Sequence, residues 1–295
     1  MDAGRIEKTR REPAEFSPTV GSPRGVLQVA KLGEGAFFHQ RLAPPSELQP
    51  FVQHFWYVQW DVRDAAPAKA ETLPHPSCYL VFEHDLARPV VAAKVHGKAE
   101  VSGVTTRKFS RLMEGHGRVF GLKFRPGGMF PFLQKPVSTL TDRVVPAAEV
   151  FGPEILGLAM ELRGLETAEG MVAAAGSYFA GRVPARDAAV ELATTLVDMI
   201  FQNSSLLTVE ALASRSGLGV RALQRLFKMY VGASPKWVIR RFRLHEVLER
   251  FHSGEVVDGA QLALDLGYAD QAHLINDFRR LVGVSPGEYL RRTGG

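Results

Sequence analysis

The chain has 295 residues, 45% of them hydrophobic and 23% charged, with a formal net charge of +5 and an isoelectric point near 9.4. That length carries two domains with cores of their own, and the balance is that of an ordinary globular protein. An apolar run of about eighteen residues is missing, which excludes a membrane-spanning helix. The single cysteine, Cys78, excludes an internal disulfide or a multi-cysteine zinc site and fits a reducing compartment.

Residues 1–22 are charged, contain Pro and Gly, lack the apolar stretch of a signal peptide, and are expected to be disordered. From about Val26 to Phe124 the texture is that of strands. "FVQHFWYVQW" is β-branched and aromatic with apolar residues on both alternating faces, as in a strand buried on two sides. "CYLVFE", "AEVSGV", "KFSRLME" and "RVFGLKF" follow between Pro- and Gly-containing turns, which predicts a small barrel or sandwich. "AAEVFGPEILGLAMEL" and "ETAEGMVAAAGSYFAG" then read as helices stopped by Gly164 and Gly181. "RVPARD" breaks the pattern near Pro184. The expected fold class is α+β, with a β-rich domain over 23–183 ending in helices and an all-α domain over 187–295.

The all-α part repeats itself. At a shift of 50 residues Ala213 and Gly217 match Ala263 and Gly267. At a shift of 51, Leu223, Phe227, Val231, Gly232, Ser234 and Pro235 match Leu274, Phe278, Val282, Gly283, Ser285 and Pro286. Each copy is a short helix, a glycine turn and a second amphipathic helix, the helix-turn-helix pattern, placed at about 206–232 and 258–283. Asp270 is the expected cap of the later helix, and Gly219 takes the same place in the first copy. Between the copies, "SPKWVIRRFRLHEVLERF" opens with Ser234 as cap and Pro235 at the first helical position, and runs as one long helix.

Charge is uneven across the repeat. Asn203 to Arg250 holds nine basic residues against three acids, whereas the remainder has four against six. In the first copy Leu223, Leu226, Phe227 and Tyr230 form the inward stripe, leaving Arg221, Gln224, Arg225 and Lys228 outside. In the second, Leu274, Phe278 and Leu281 face inward, with Gln271, Ala272, Ile275, Asn276 and Arg279 outside. Arg suits a guanine edge, Asn and Gln suit adenine, and a small apolar group suits a thymine methyl. The expected base readers are therefore Arg221, Gln224, Arg225, Gln271, Ala272 and Asn276. Lys228, Lys236, Arg241 and Arg279 are assigned to phosphates and orientation.

"LGYADQAHLINDFRRLVGVSPGEY" and "ALQRLFKMYVGASPKWV" resemble the two units of the AraC/XylS family of bacterial transcription regulators. The resemblance covers the last hundred residues or so. It implies double-stranded DNA as partner, RNA polymerase as a further partner where transcription is activated, and a cytoplasmic, nucleoid-associated protein that is monomeric or homodimeric and not an enzyme. Asn276 stands where the family commonly has Arg, with the acid Asp277 beside it, so weaker binding by the second unit is expected. "HFWYVQWD" through "LTDRVVPAAEVFG" resembles an uncharacterised domain in the sensor position of some AraC-like regulators. A small-molecule effector would sit there, with Trp56, His54 and Trp60 as candidate contacts. The alternatives are a constitutive dimeric DNA-binding protein and an enzyme-like N-terminal domain. His54, His75, His84, His96 and His116 form no close pair or carboxylate-framed set, so neither metal nor cofactor is expected.

Overall fold

A computed structural model describes residues 26–28, 36–86, 97–253 and 258–293 of the chain. The segment 1–22 expected to be disordered, and His96, lie outside the described residues. Among the described residues nine strands come first: β1 (Val26–Gln28), β2 (Phe37–Leu42), β3 (Val52–Val62), β4 (Ala68–Thr72), β5 (Tyr79–Asp85), β6 (Gly97–Ser102), β7 (Phe109–Met113), β8 (Gly115–Phe124) and β9 (Val144–Pro146). They pair antiparallel in two sheets, one of six strands in the order β2-β3-β8-β5-β6-β9 and one of three in the order β1-β4-β7.

The long strand β3 is covered on both sides, as its two-faced apolar pattern requires. Phe55 and Tyr57 enter the main core with Leu80, Phe82, Phe120 and Leu122. Trp60 and Val62 enter a second, smaller core with Ala68 and Met113 of the three-stranded sheet. Over the first face pack the helices α1 (Phe130–Leu133), α2 (Ala148–Phe151), α3 (Ile155–Gly164), α4 (Ala168–Ala180) and α5 (Ala188–Gln202). The stretch read as one helix from "AAEVFG" onward is two, because Gly152 turns the chain at φ +81 and Pro153 follows it.

The rest is helical: α6 (Val209–Ser216), α7 (Val220–Leu226), a π turn over Phe227–Val231, α8 (Pro235–His252), α9 (Gly259–Asp265), α10 (Gln271–Val282) and α11 (Pro286–Thr293). The main core runs on without interruption from the sheet into Leu212, Leu223, Phe227, Val231 and Phe242. Phe130 stacks on Tyr230 with ring centres 4.4 Å apart, and the Thr141 hydroxyl donates to the Gly232 carbonyl. The first unit is thereby seated on the β-rich part. Among the described residues no helix is long and apolar enough to cross a membrane.

Candidate nucleic-acid interface

The repeat in the letters becomes a repeat in the backbone. Gly217 and Gly267 turn from first to second helix at φ +69 and +68, and Gly232 and Gly283 end the second helices at +89 and +93. Side chains with a Cβ rarely take that conformation. The caps repeat as well. Thr208 accepts from the Ala211 N–H at 3.0 Å and Asp258 from the Ala260 N–H at 2.8 Å, fifty residues apart. Ser234 accepts from the Trp237 N–H at 3.2 Å, with Pro235 beginning α8. Asp270 caps α10 through the His273 N–H at 2.8 Å, while Gly219 offers α7 no side-chain cap. Glycine in place of a capping side chain costs only about a few tenths of a kcal/mol, so α7 tolerates it.

The outer faces match the sequence pattern. Arg221, Gln224, Arg225 and Lys228 are exposed along α7 and the π turn, and Lys236 is exposed at the start of α8. Gln271, Ala272, Asn276 and Arg279 are exposed along α10. Gln271 lies back over Gly259 of α9. Inward, Leu223, Phe227 and Val231 are buried at four-residue intervals, and Tyr230 is only half-buried. The wider π turn explains the shift: it rotates the end of the helix so that Val231 takes the inward place expected for Tyr230.

Two expectations are overturned. Arg241 cannot meet a phosphate, because it is 1% exposed and its Nε donates to the Pro74 carbonyl. Nor does Asp277 spoil the outer face of α10. It is buried and gripped by Arg240 from α8, whose Nε donates to its Oδ2 at 2.8 Å and whose Nη2 pairs with its Oδ1. Arg243 is also used internally, donating to the Leu207 carbonyl and, at 3.5 Å, to that of Gly267. Three nearby arginines on α8 thus hold three different surfaces: the second unit, the β-rich part, and the contact between units.

In the β-rich part, His54, Trp56 and Trp60 share the face of β3 that looks away from the main core. Trp60 is buried, its Nε1 donating to the Glu114 carbonyl at 3.0 Å, with the Arg111 guanidinium 5.0 Å above its ring. Trp56 lies across Gly121, where a Cβ would stand 2.5 Å from the ring, and its buried Nε1 has no hydrogen-bond partner among the described residues. His54 sits beside Lys123 in the register and is held down at about 3, first by burial and then by Lys123. Sequence reasoning passed over Lys123 itself. Its trace in the sequence is a Lys set between the apolar residues Leu122 and Phe124. Cys78 is fully enclosed, and burial pushes its thiol up to about 12, as expected of a packing residue. Among the described residues no group of three His, Cys, Asp or Glu is arranged to hold a metal.

Residues 212–292 match a family model described as a helix-turn-helix domain, and residues 40–146 match one described as a domain of unknown function, DUF6597. Over 80 residues the chain is 36% identical to the HTH-type transcriptional activator RhaS of Escherichia fergusonii, a stretch covering 27% of this chain and 28% of that one. Two solved structures of ToxT from Vibrio cholerae align over 88% of the chain and 100% and 99% of their own lengths. Their identities are 11% and 10%, and their TM-scores 0.37 and 0.35. The double helix-turn-helix over residues 212–292 is of the AraC/XylS type, and the chain spans about a quarter of the length of the curated relative it matches.

Proposed function

We propose that the protein is a sequence-specific DNA-binding regulator of transcription that reads two successive major-groove segments with α7 and α10. One observation carries the reading: both second helices present an exposed polar face while α8 runs between them as a single element. At 1.5 Å per residue α8 is about 27 Å long, so it serves as a spacer on the scale of a DNA turn. Arg221, Gln224 and Arg225 form one reading face, and Gln271, Ala272 and Asn276 the other. Lys228, Lys236 and Arg279 attract the phosphate backbone and fix orientation. The chain divides into a sensing part over 23–183 and a DNA-binding part over 187–295. A ligand or partner of the former acts by preferring one arrangement of the two. RNA polymerase is the further partner where transcription is activated, and the cytoplasm with its nucleoid is the place of work. No reaction is assigned to the chain.

Selection of bound duplexes from a random pool tests the reading. The expected consensus is bipartite, with its halves about 34 Å, one helical turn, apart. Selected duplexes without a bipartite consensus overturn it.

A further inference from the structure

Both reading helices end on a glycine, and the β-rich part touches both glycines. A Cβ on Gly232 would stand 3.0 Å from the Val137 side chain, and one on Gly283 would stand 3.0 Å from the Lys108 Nζ. The Thr141 hydroxyl also donates to the Gly232 carbonyl. Lys108 lies on the loop that leads into β7, and Val137 and Thr141 lie on the turn before β9. The two loops are one piece. The Gly103 N–H donates to the Arg143 carbonyl at 3.0 Å, and the Asp142 N–H to the Val104 carbonyl at 2.9 Å. The Asp142 carboxylate accepts from the Thr106 N–H at 2.6 Å and from the Thr106 hydroxyl at 2.7 Å. Gly103 lies so close to the Leu140 carbonyl that no Cβ would fit between them. Asp142 holds this pose at φ +56, a left-handed conformation uncommon outside glycine.

Lys108 has two electrostatic reasons to stay where it is. Its Nζ donates to Glu71 at 3.1 Å, and the buried Glu71 is shared with Lys69 at 2.7 Å. One carboxylate between two ammonium groups leaves net positive charge beside the last carbonyls of α10. Those carbonyls are the negative end of the helix and lack partners within it. α10 is thus held at Asp277 by Arg240 and at Gly283 by Lys108, six residues or about 9 Å apart. One hold lets a helix pivot; two fix its direction. The first reading helix is held likewise, at Tyr230 by Phe130 and at Gly232 by Thr141. These contacts leave Arg221, Gln224, Arg225, Gln271 and Asn276 exposed, so they orient the reading faces and do not block them.

We propose that loops 103–108 and 137–142 form a bracket across the ends of the two reading helices, with Lys108 and Asp142 as positioning residues that set the preferred half-site spacing. The inference rests on the DNA-reading proposal and adds a determinant of specificity that lies away from the duplex. α8 sets how far apart the units stand, and the bracket sets the angle between them. Two base pairs more or fewer between half-sites turn one of them by roughly 70° about the duplex axis, at about 10.5 base pairs a turn. A reader held at a fixed angle rejects that turn, and a loosened one tolerates it.

Two measurements on the full chain test this. The first needs no DNA. Spin labels on Ser214→Cys and Leu264→Cys, exposed and equivalent positions of α6 and α9, report the distance between units, while Cys78 is enclosed. Lys108→Met and Asp142→Gly are expected to broaden that distance distribution, and Lys108→Arg to leave it as in the parent. Lys108 is one-third exposed and Glu71 keeps Lys69, so Lys108→Met is expected to fold. The second measurement titrates duplexes of the selected spacing and of that spacing changed by two base pairs. The parent is expected to prefer the selected spacing by about ten-fold, the scale of one mismatched base pair, and Lys108→Met by at most about three-fold. Both are expected to bind a single half-site equally well. The bracket is overturned if Lys108→Met and Asp142→Gly leave the distance distribution unchanged, or if Lys108→Met leaves the spacing preference unchanged. A fall in its single-half-site affinity as large as the fall on the full duplex also overturns it, by making Lys108 a DNA contact. A broadened distribution in a protein that selects no bipartite consensus upholds the bracket and removes the DNA reading. A bipartite consensus with an unmoved spacing preference removes only the bracket.

Discussion

The two helix-turn-helix units share their turns and caps and differ in what holds them. The first buries Leu212, Leu223, Phe227 and Val231 in the same core as the β-sheet. The second buries Leu262, Leu274, Phe278 and Leu281 in a smaller cluster with the far half of α8, joined from the β-rich part by Leu73. A short motif dictates its own turn and stripe; the surface that the stripe covers depends on distant residues. The first unit is therefore built into the sheet's scaffold, and the second hangs from α8.

The largest test of that difference uses the equivalent phenylalanines, each fully buried. Phe227→Ala and Phe278→Ala each remove a large buried ring, at a cost of about 3–5 kcal/mol. Phe227→Ala is expected to lower the protection of sheet and first unit together. Phe278→Ala is expected to open α9, α10 and α11 while the sheet amides stay protected in hydrogen exchange. The same loss of sheet protection from both would erase the distinction.

Next comes the clamp that ties the second unit to α8. Asp277→Ala removes a charge-assisted pair and is expected to cost about 1.5–3 kcal/mol in denaturant titration. Arg240 is one-third exposed and can turn to water, which keeps the loss below that of a fully buried pair. No change in stability would show that core packing alone holds the second unit.

Much of this architecture was legible because it is local. The glycines of the repeat, the Ser234 and Asp270 caps and the inward stripes follow from chemistry within a few residues, apart from the place expected for Tyr230 that the π turn gives to Val231. Arg241 was not legible. Periodicity marks Arg240, Arg241 and Arg243 alike as polar residues on an amphipathic helix, but α8 is packed on several sides, and the Pro74 carbonyl that receives Arg241 lies 167 residues away. Asp277 misled for the same reason: its partner is on another helix. The place of Lys123 was not legible either, because a Lys within a strand has no spacing of its own to mark its neighbours; only the register brings it beside His54 and Tyr79.

On DNA the units are expected to differ in the same order as their charge. Arg225→Ala should weaken binding to a selected duplex by about 1–3 kcal/mol and relax preference at one or two positions. Asn276→Ala should cost less, because its amide brings no charge to the duplex and the surrounding segment is net acidic. Fluorescence titration of both variants on selected and random duplexes checks the order. Equal loss on both duplexes for Arg225→Ala would make it a phosphate contact, and the reverse order would place the dominant reader on α10.

The smallest effects compare the two turn glycines. Gly217 and Gly267 have nearly the same φ, so each resists a Cβ for the same backbone reason, about 1 kcal/mol for Ala. Their surroundings differ. A Cβ on Gly217 meets nothing within 4 Å, whereas one on Gly267 stands 2.7 Å from Leu207 of the other unit. Asn tolerates the left-handed region better than Ala. Gly217→Asn is therefore expected to recover part of the Gly217→Ala loss, while Gly267→Asn recovers less, because the contact with Leu207 adds to the backbone cost and Asn does not relieve it. Equal recovery at both positions in thermal melts would mean that the units do not press on each other at Leu207, and that α8 alone sets their separation.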